Sequence, residues 1–304
     1  MSGSEEPTIH RRKNRLIGLA MLCPSIVAVG IFVYGFIGWS IRVSLSQWQG
    51  LVPNYAWRGF SNFAQLFADR RFRVDLRNTG LFTVIFVGGA ILVGLALAML
   101  LDRKIPGEGL FRSIFLFPLA ISLIVTGVAW RWLMNPATGD RVSGLNQLFD
   151  IFGLDFLINR WHTTDPPWGI VFIAIPAVWQ MSGFTMALFL AGLRSVPEDI
   201  KEAARVDGAS EFQIYRRVIM PLLRPVLLSA LIILGHISLK IFDLIVAMSG
   251  KDISLDMPSI YMWTTTFDGN NYYRGASIGI VLLVSVALLV VPYLVWSMRR
   301  EAEL

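Results

Sequence analysis

The sequence predicts an all-α integral membrane protein of six transmembrane helices with a polar elbow between spans four and five. Three observations carry that prediction. The 304 residues are 55% hydrophobic and only 16% charged, with a mean hydropathy of +0.59, outside the range of soluble domains. Apolar stretches long enough to cross roughly 30 Å of hydrocarbon, about 20 residues each, recur along the chain. A single polar segment, 195–222, interrupts them late in the sequence.

The first apolar stretch, 16–41, follows a basic tail at 1–15. It is longer than the apolar core of a cleavable leader, so it is expected to remain as a signal anchor. The sole cysteine, Cys23, lies within it beside Pro24, which excludes an intramolecular disulfide. An outer loop leads through 42–78 to the second stretch, 79–101. The third covers 110–134, the fourth 168–193, the fifth 223–249 and the sixth 276–298, leaving a short tail at 299–304. Residues 79–298 form the core of this plan.

Basic residues near span ends mark the cytoplasmic side. Arg11, Arg12, Lys13 and Arg15, then Arg103, Lys104 and Arg112, then Arg194, Lys201, Arg205, Arg216, Arg217 and Arg224, and finally Arg299 and Arg300 all fall on one side of a six-span chain. Both termini are therefore expected in the cytoplasm. The opposite loop carries Arg58, Arg70, Arg71, Arg73 and Arg77, which dilutes the asymmetry. Basic membrane flanks account for the net charge of +6 without invoking nucleic acid. Outward aromatic residues (Trp48, Trp57, Trp132, Trp161 and Trp168, with Asn270 and Asn271 beside Tyr272 and Tyr273) are expected mainly as interface anchors.

Within the polar segment, Ser195 and Glu198 have capping-box spacing, and so do Ser210 and Gln213. A helix is expected through Ile200, Ala203, Ala204 and Val206, stopped by Gly208 as a left-handed cap. A second helix then carries Phe212, Ile214, Tyr215, Val218 and Ile219 before Pro221 and Pro225. Two short helices are marginal in water, and either a docking partner or lipid headgroups would stabilise them.

Polar residues inside spans four and five are costly at membrane depth and point to a bundle interior or an aqueous path. His236, Lys240 and Asp243 are spaced to share one face of a continuous helix. Lys240 and Asp243 read either as an internal neutralising pair or as part of a path, and His236 as a buried structural imidazole or a group that faces substrate. Trp179, Gln180, Ser182, Phe184 and Thr185 on span four mix aromatic faces with amide and hydroxyl groups, as a sugar site requires, although Ser and Thr also glue helices together. Ser238 lies close to His236 along the chain. No metal-spaced His/Cys set is present and no G-x-x-x-x-G-K-[ST] phosphate loop, since Ser249-Gly250-Lys251 lacks the upstream glycine and the following hydroxyl.

The string Glu202-Ala203-Ala204-Arg205-Val206-Asp207-Gly208, followed by Val218-Ile219-Met220-Pro221, resembles the EAA---G---------I-LP signature of inner-membrane permease subunits of binding-protein-dependent ABC importers. Val218 and Met220 stand where that family usually has Ile and Leu. The likeness extends to Ala177-Val178-Trp179-Gln180 and Ala191–Glu198 upstream and to Leu239-Lys240-Ile241-Phe242-Asp243 downstream, and it points to the sugar-uptake branch with the maltose permease. It implies that the elbow is the coupling helix, with Glu202, Ala203, Ala204, Asp207 and Gly208 engaging a cytoplasmic ATPase subunit. It implies a second, related permease chain forming a heterodimer, two ATPase subunits that bind ATP and Mg, and an extracytoplasmic sugar-binding protein. The enclosing membrane would be a prokaryotic inner membrane, and this chain would be a transport subunit rather than an enzyme. Residues Trp179, Gln180, Phe184, His236, Ser238, Lys240 and Asp243 become candidates for the substrate path, while Gly250-Lys251-Asp252 departs from the family's Gly-Gly-Pro. The runs 122–135 and 236–248 look most similar to glucose and mannose permeases, and α-glucoside permeases read much the same there. An ion-coupled secondary transporter, with Asp243 or His236 carrying a proton, is the competing class.

Overall fold

A computed structural model describes residues 21–103, 105–137 and 139–301. The tail at 1–15, the first residues of the first apolar stretch, Lys104 and residues 302–304 lie outside the described residues, and the side chains of Arg299 and Arg300 are not described. Among the described residues there is no β-strand, and helices account for the fold. Four helices are long and apolar enough to cross a membrane: α1 (Met21–Ser44), α3 (Arg70–Leu101), α7 (Gly169–Ser195) and α13 (Tyr272–Glu301), with short α2 (Ser61–Ala68) before α3. Two bent pairs bring the number of possible spans to six. The first pair joins α4 (Glu108–Leu116), prolonged by a 3₁₀ turn to Ala120, to α5 (Leu123–Leu133) at 98°. Helices α6 (Gly144–Ile151), α8 (Glu198–Val206) and α9 (Glu211–Leu222) follow in chain order, and α9 meets α10 (Arg224–Leu239) at 63° to make the second pair. The remaining elements are α11 (Asp243–Ser249) and α12 (Pro258–Trp263).

Helices α3 and α7 form the spine, and small residues let them approach. A Cβ on Gly94 would lie 2.0 Å from the Thr185 hydroxyl oxygen and 2.8 Å from the Met186 backbone nitrogen. In that narrow gap the Thr185 hydroxyl donates to the Ala90 carbonyl at 2.7 Å, the small-residue packing that lets spans associate where water supplies no driving force. Around the spine, Phe82, Phe86, Ile173, Leu244 and Ile260 make one buried cluster, and Met186, Phe189, Leu193, Ile214 and Ile219 make a second at the elbow end. A third, Leu66, Phe72, Tyr261 and Ile278, closes the opposite end.

Several expectations change. Span two starts at Arg70 rather than 79, with Asp69 capping it by accepting from the Arg71 and Phe72 backbone N–H groups. The extra turns carry Arg71 to Asp256, which its Nε reaches at 2.6 Å, and stack its guanidinium 4.3 Å over the Tyr261 ring. Arg58 lies over Tyr273 in the same way. These contacts explain why that loop is rich in arginine although it sits opposite the elbow: two of the charges are used in packing. Span three is not one rod but breaks at Ile121–Ser122. Span five ends at Leu239, and Phe242, with φ −136° and ψ −59°, lies outside the helical region before α11 begins. His236, Lys240 and Asp243 therefore do not line one continuous stripe. Lys240 and Asp243 are both exposed, and neither forms an ion pair among the described residues.

Candidate functional site

The elbow is built by local sequence. Helix α8 starts at Glu198, but Pro197 is its N-cap and no side chain caps it. Ser195 donates instead to the Gly192 carbonyl at 2.8 Å as the last turn of α7 closes, so the first expected capping box does not form. The second does: Ser210 and Gln213 satisfy each other's backbone donors. Gly208 holds φ +80°, the left-handed cap expected of it, and a Cβ there would meet nothing within 4 Å. Its role is conformational on this chain, and the space beside it is open.

Charge fixes the corner. Glu198 sits 3.2 Å from both Lys201 and Arg205, and Arg205 reaches across the turn to Glu211 at 2.8 Å. The ammonium of Lys201, with Arg205 behind it, holds the Glu198 carboxyl below its ordinary value of 4.5. Glu211 and Glu198 together keep Arg205 more firmly protonated than usual. The elbow is moored to the bundle by Ile214 and Ile219, both buried, and by the Tyr215 hydroxyl, which donates to Asp102 at 3.3 Å. Arg194, at the end of α7, pairs with Glu108 at 2.8 Å. Glu202, Ala203, Asp207 and Gly208 are exposed, whereas Ala204 turns inward against the buried cluster. Val206, 88% exposed, and Phe212, 72% exposed, flank them. A polar elbow that presents two large apolar side chains to the outside has a surface suited to a protein partner. An open cleft of about 1270 Å³ lies between the elbow and the helix ends, walled by Arg103, Glu108, Lys201 and Phe212 among others.

The substrate-path candidates do not converge on one spot. Gln180 is buried, and its amide donates to the Ile121 carbonyl at 2.6 Å. That carbonyl is freed by the break in span three, and hydrocarbon offers no water to satisfy it. Ser259 does the same for the second break by donating to the Ile241 carbonyl. Ser238 is buried too; it donates to the Gly235 carbonyl at 2.8 Å and accepts from the Thr83 hydroxyl at 2.9 Å. Gln180 and Ser238 thus hold backbone and helices together. Trp179 is partly exposed with its ring 5.8 Å from that of Trp130, and Phe184 and His236 are half-buried. Trp179, Phe184, His236, Lys240 and Asp243 are the candidates with surface left to offer a cargo or a neighbouring chain. Sequence reasoning missed Ser259 and Thr83, because a serine or threonine among apolar residues does not announce which distant carbonyl it reaches. It also misread Trp161, which is buried against Phe149 and Phe172 and is not an interface anchor.

A helical bundle of membrane-crossing length, with two spans broken and re-capped by side chains and a moored polar elbow on one end, defines a polytopic membrane protein of the transport type. The chain belongs to the family of binding-protein-dependent transport system inner membrane components, which it matches over residues 90–298. It is 41% identical to a probable ABC transporter permease protein of Pyrococcus horikoshii, over 93% of this chain and 96% of that one. It is 31% identical to a xylose/arabinose import permease of Haloferax volcanii, over 90% of this chain and 86% of the relative. A trehalose/maltose transport system permease of Thermococcus litoralis is 29% identical over 94% and 95%. The fold matches a chain from the crystal structure of a bacterial ABC transporter involved in import of the acidic polysaccharide alginate, with a TM-score of 0.77 covering 97% of this chain and 99% of that chain at 23% identity.

Proposed function

We propose that this chain is the permease subunit of an ATP-driven sugar importer and forms half of the translocation path beside a second, related permease chain. The observation that carries the reading is the elbow: the Glu202–Gly208 string sits exposed between Val206 and Phe212, on a corner held by Glu198, Arg205 and Glu211. One of two cytoplasmic ATPase subunits, which bind ATP and Mg, docks there, with Glu202 and Asp207 offering charge, Ala203 close approach and Gly208 the turn; the other docks on the second permease chain. Both termini then lie in the cytoplasm, and an extracytoplasmic binding protein delivers the cargo to the other face.

The cargo in this reading is a short α-linked glucoside such as trehalose or maltose. The trehalose/maltose permease of Thermococcus litoralis supports it, as does the α-glucoside permease of Rhizobium meliloti, 27% identical over 93% of this chain. A monosaccharide such as glucose or mannose is the second reading, favoured by the sequence of 122–135 and 236–248. Trp179, Phe184 and His236 are the groups proposed to meet the sugar: aromatic faces suit the C–H side of a pyranose, and a neutral imidazole both donates to and accepts from hydroxyls.

The test is uptake by vesicles that carry this chain together with the second permease, the ATPase subunits and the binding protein from neighbouring reading frames. Labelled trehalose, maltose, glucose and mannose should enter only with ATP, and a proton uncoupler should not stop them. Uptake by this chain alone that collapses with the uncoupler would replace the proposal with an ion-coupled transporter.

A further inference from the structure

At the end of the bundle opposite the elbow, the C-terminus of α5 and the 135–168 loop border an open, shallow cavity of about 440 Å³. Its position follows from α7, which starts beside the cavity at Gly169 and ends at Ser195 next to the elbow. A helix of 27 residues spans about 40 Å at 1.5 Å per residue, so the two sites lie on opposite faces. The cavity is lined by Arg131, Trp132, Asn135, Pro136, His162 and Thr163, among others.

Its walls are built rather than loose. Asn146, fully buried, ties them together: its amide donates to the Asn135 and Asn159 carbonyls at 3.1 and 2.9 Å, and its oxygen accepts from the Trp161 indole at 2.8 Å and the Asn159 backbone at 3.2 Å. Trp161 takes φ +50°, a left-handed conformation unusual for a bulky residue, and the sealed indole holds it there. The following residue, His162, is thereby fixed on the cavity wall. A Cβ on Gly169 would lie 2.6 Å from the His162 carbonyl oxygen, so only glycine lets α7 start this close.

His162 is only 7% exposed, and its Nδ1 has no hydrogen-bond partner. Arg131 makes no ion pair among the described residues, while Trp132 leaves 65% of its surface open. A buried ring nitrogen without a partner is costly unless something pairs with it. Burial, reinforced by the Arg131 charge, holds the imidazole below its ordinary pKa of 6.5. The ring is then neutral and adds no second cation to the wall.

We propose that this cavity is an outer-face sugar subsite, separate from the candidates on spans four and five, where a mono- or disaccharide is held before it enters the path. Trp132 supplies the apolar face for the ring. His162 backs the wall with its largely buried ring, Arg131 donates, and the Thr163 oxygen, whose own hydrogen goes to the Arg160 carbonyl at 2.7 Å, accepts. The volume is within the roughly 300–1,000 Å³ of ordinary small-ligand sites. A neutral polyol suits the set better than an anion, because one guanidinium is the only cation on the wall. The inference rests on the reading of the chain as a sugar permease.

The full chain in phosphatidylcholine nanodiscs is titrated with radiolabelled glucose, mannose, trehalose, maltose, xylose and arabinose. At least one should bind saturably. Trp132→Ala should weaken that binding roughly tenfold, as expected for losing one stacking face, and Thr163→Val should weaken it by a smaller factor. Phe152→Ala, an exposed aromatic of the same loop that does not line the pocket, should leave it unchanged. Trp132 and Thr163 are chosen because Trp132 is exposed and Thr163 lies in the loop, so circular dichroism should stay native. Absence of binding for all six sugars overturns the proposal, as does binding indifferent to Trp132→Ala. A signal that follows added anionic lipid and ignores sugar also overturns it, and assigns the cavity to a headgroup. The two readings separate in the vesicle assay: no sugar uptake by the assembled importer defeats the proposed function, whereas normal uptake with an unaltered Trp132→Ala binding curve defeats only the subsite.

Discussion

Gln180 shows how a polar residue in a span can be structural while looking like a ligand. Its amide satisfies the Ile121 carbonyl where span three breaks, so Gln180→Leu should leave a buried acceptor unpaired and cost about 1–3 kcal/mol, less what is regained by removing the Gln180 Oε1, itself buried without a partner, read as a lower thermal midpoint in detergent. Ser259→Ala should act alike at Ile241, and the two effects should nearly add because the breaks are separate. Gly94→Val tests the spine: even the first side-chain carbon would lie 2.8 Å from the Met186 backbone nitrogen, which cannot swing aside. Little folded protein should be recovered in the membrane fraction. Asp75 is the converse case. It is fully buried and neither carboxylate oxygen has a hydrogen bond, so Asp75→Asn should hold or raise the melting temperature, since it removes the chance of an unpaired buried charge while keeping the side-chain volume. A marked loss would mean that a group contributed from outside this chain pairs with it.

At the scale of the element, the elbow separates conformation from contact. Gly208 has open space around it and a left-handed backbone, so Gly208→Asn, which tolerates that region, should cost less than Gly208→Val, whose strain is about 1–2 kcal/mol. If the elbow couples to an ATPase, Gly208→Val should leave hydrolysis running while uptake falls; equal uptake in the two variants would remove the coupling role. The charge corner adds a pH dependence. Because the folded Glu198 carboxyl is held below 4.5, its contribution is fully present above that value and is lost as pH falls through the lowered one. Amide exchange in α8 should quicken over that acid range, modestly, since Glu198 is exposed and screened. The second capping box predicts that Ser210→Ala frays α9 by about 1 kcal/mol. Ser195→Ala should have no such effect on α8, because that serine belongs to the end of α7.

For the whole molecule, the end opposite the elbow is latched by Arg71. Its guanidinium meets Asp256, which is 2% exposed, and also donates to the Thr264 hydroxyl at 3.1 Å. Asn78 donates to the Ser254 and Asp256 carbonyls beside it. Arg71→Ala should cost about 3–5 kcal/mol by leaving a buried carboxylate without its partner, and the double variant Arg71→Met/Asp256→Leu should recover most of that loss in a thermal unfolding series. Sequence alone determined the membrane class, the place of the elbow, its left-handed glycine and its second cap, because each depends on neighbours within a few residues or on the summed cost of placing groups in hydrocarbon. The family string over 202–221 was legible for the same reason: it is a local pattern. The breaks at Ile121 and Ile241 were not legible, since apolar composition is indifferent to a bend and the side chains that re-cap the freed carbonyls, Gln180 and Ser259, arrive from other helices. Nor could spacing reveal that His236, Lys240 and Asp243 part company, which follows from a helix ending at Leu239. Only the tertiary structure decided which polar residues hold the bundle and which keep a free surface. Hydrogen bonds between distant segments consume the first group, and nothing in the local sequence records who their partners are.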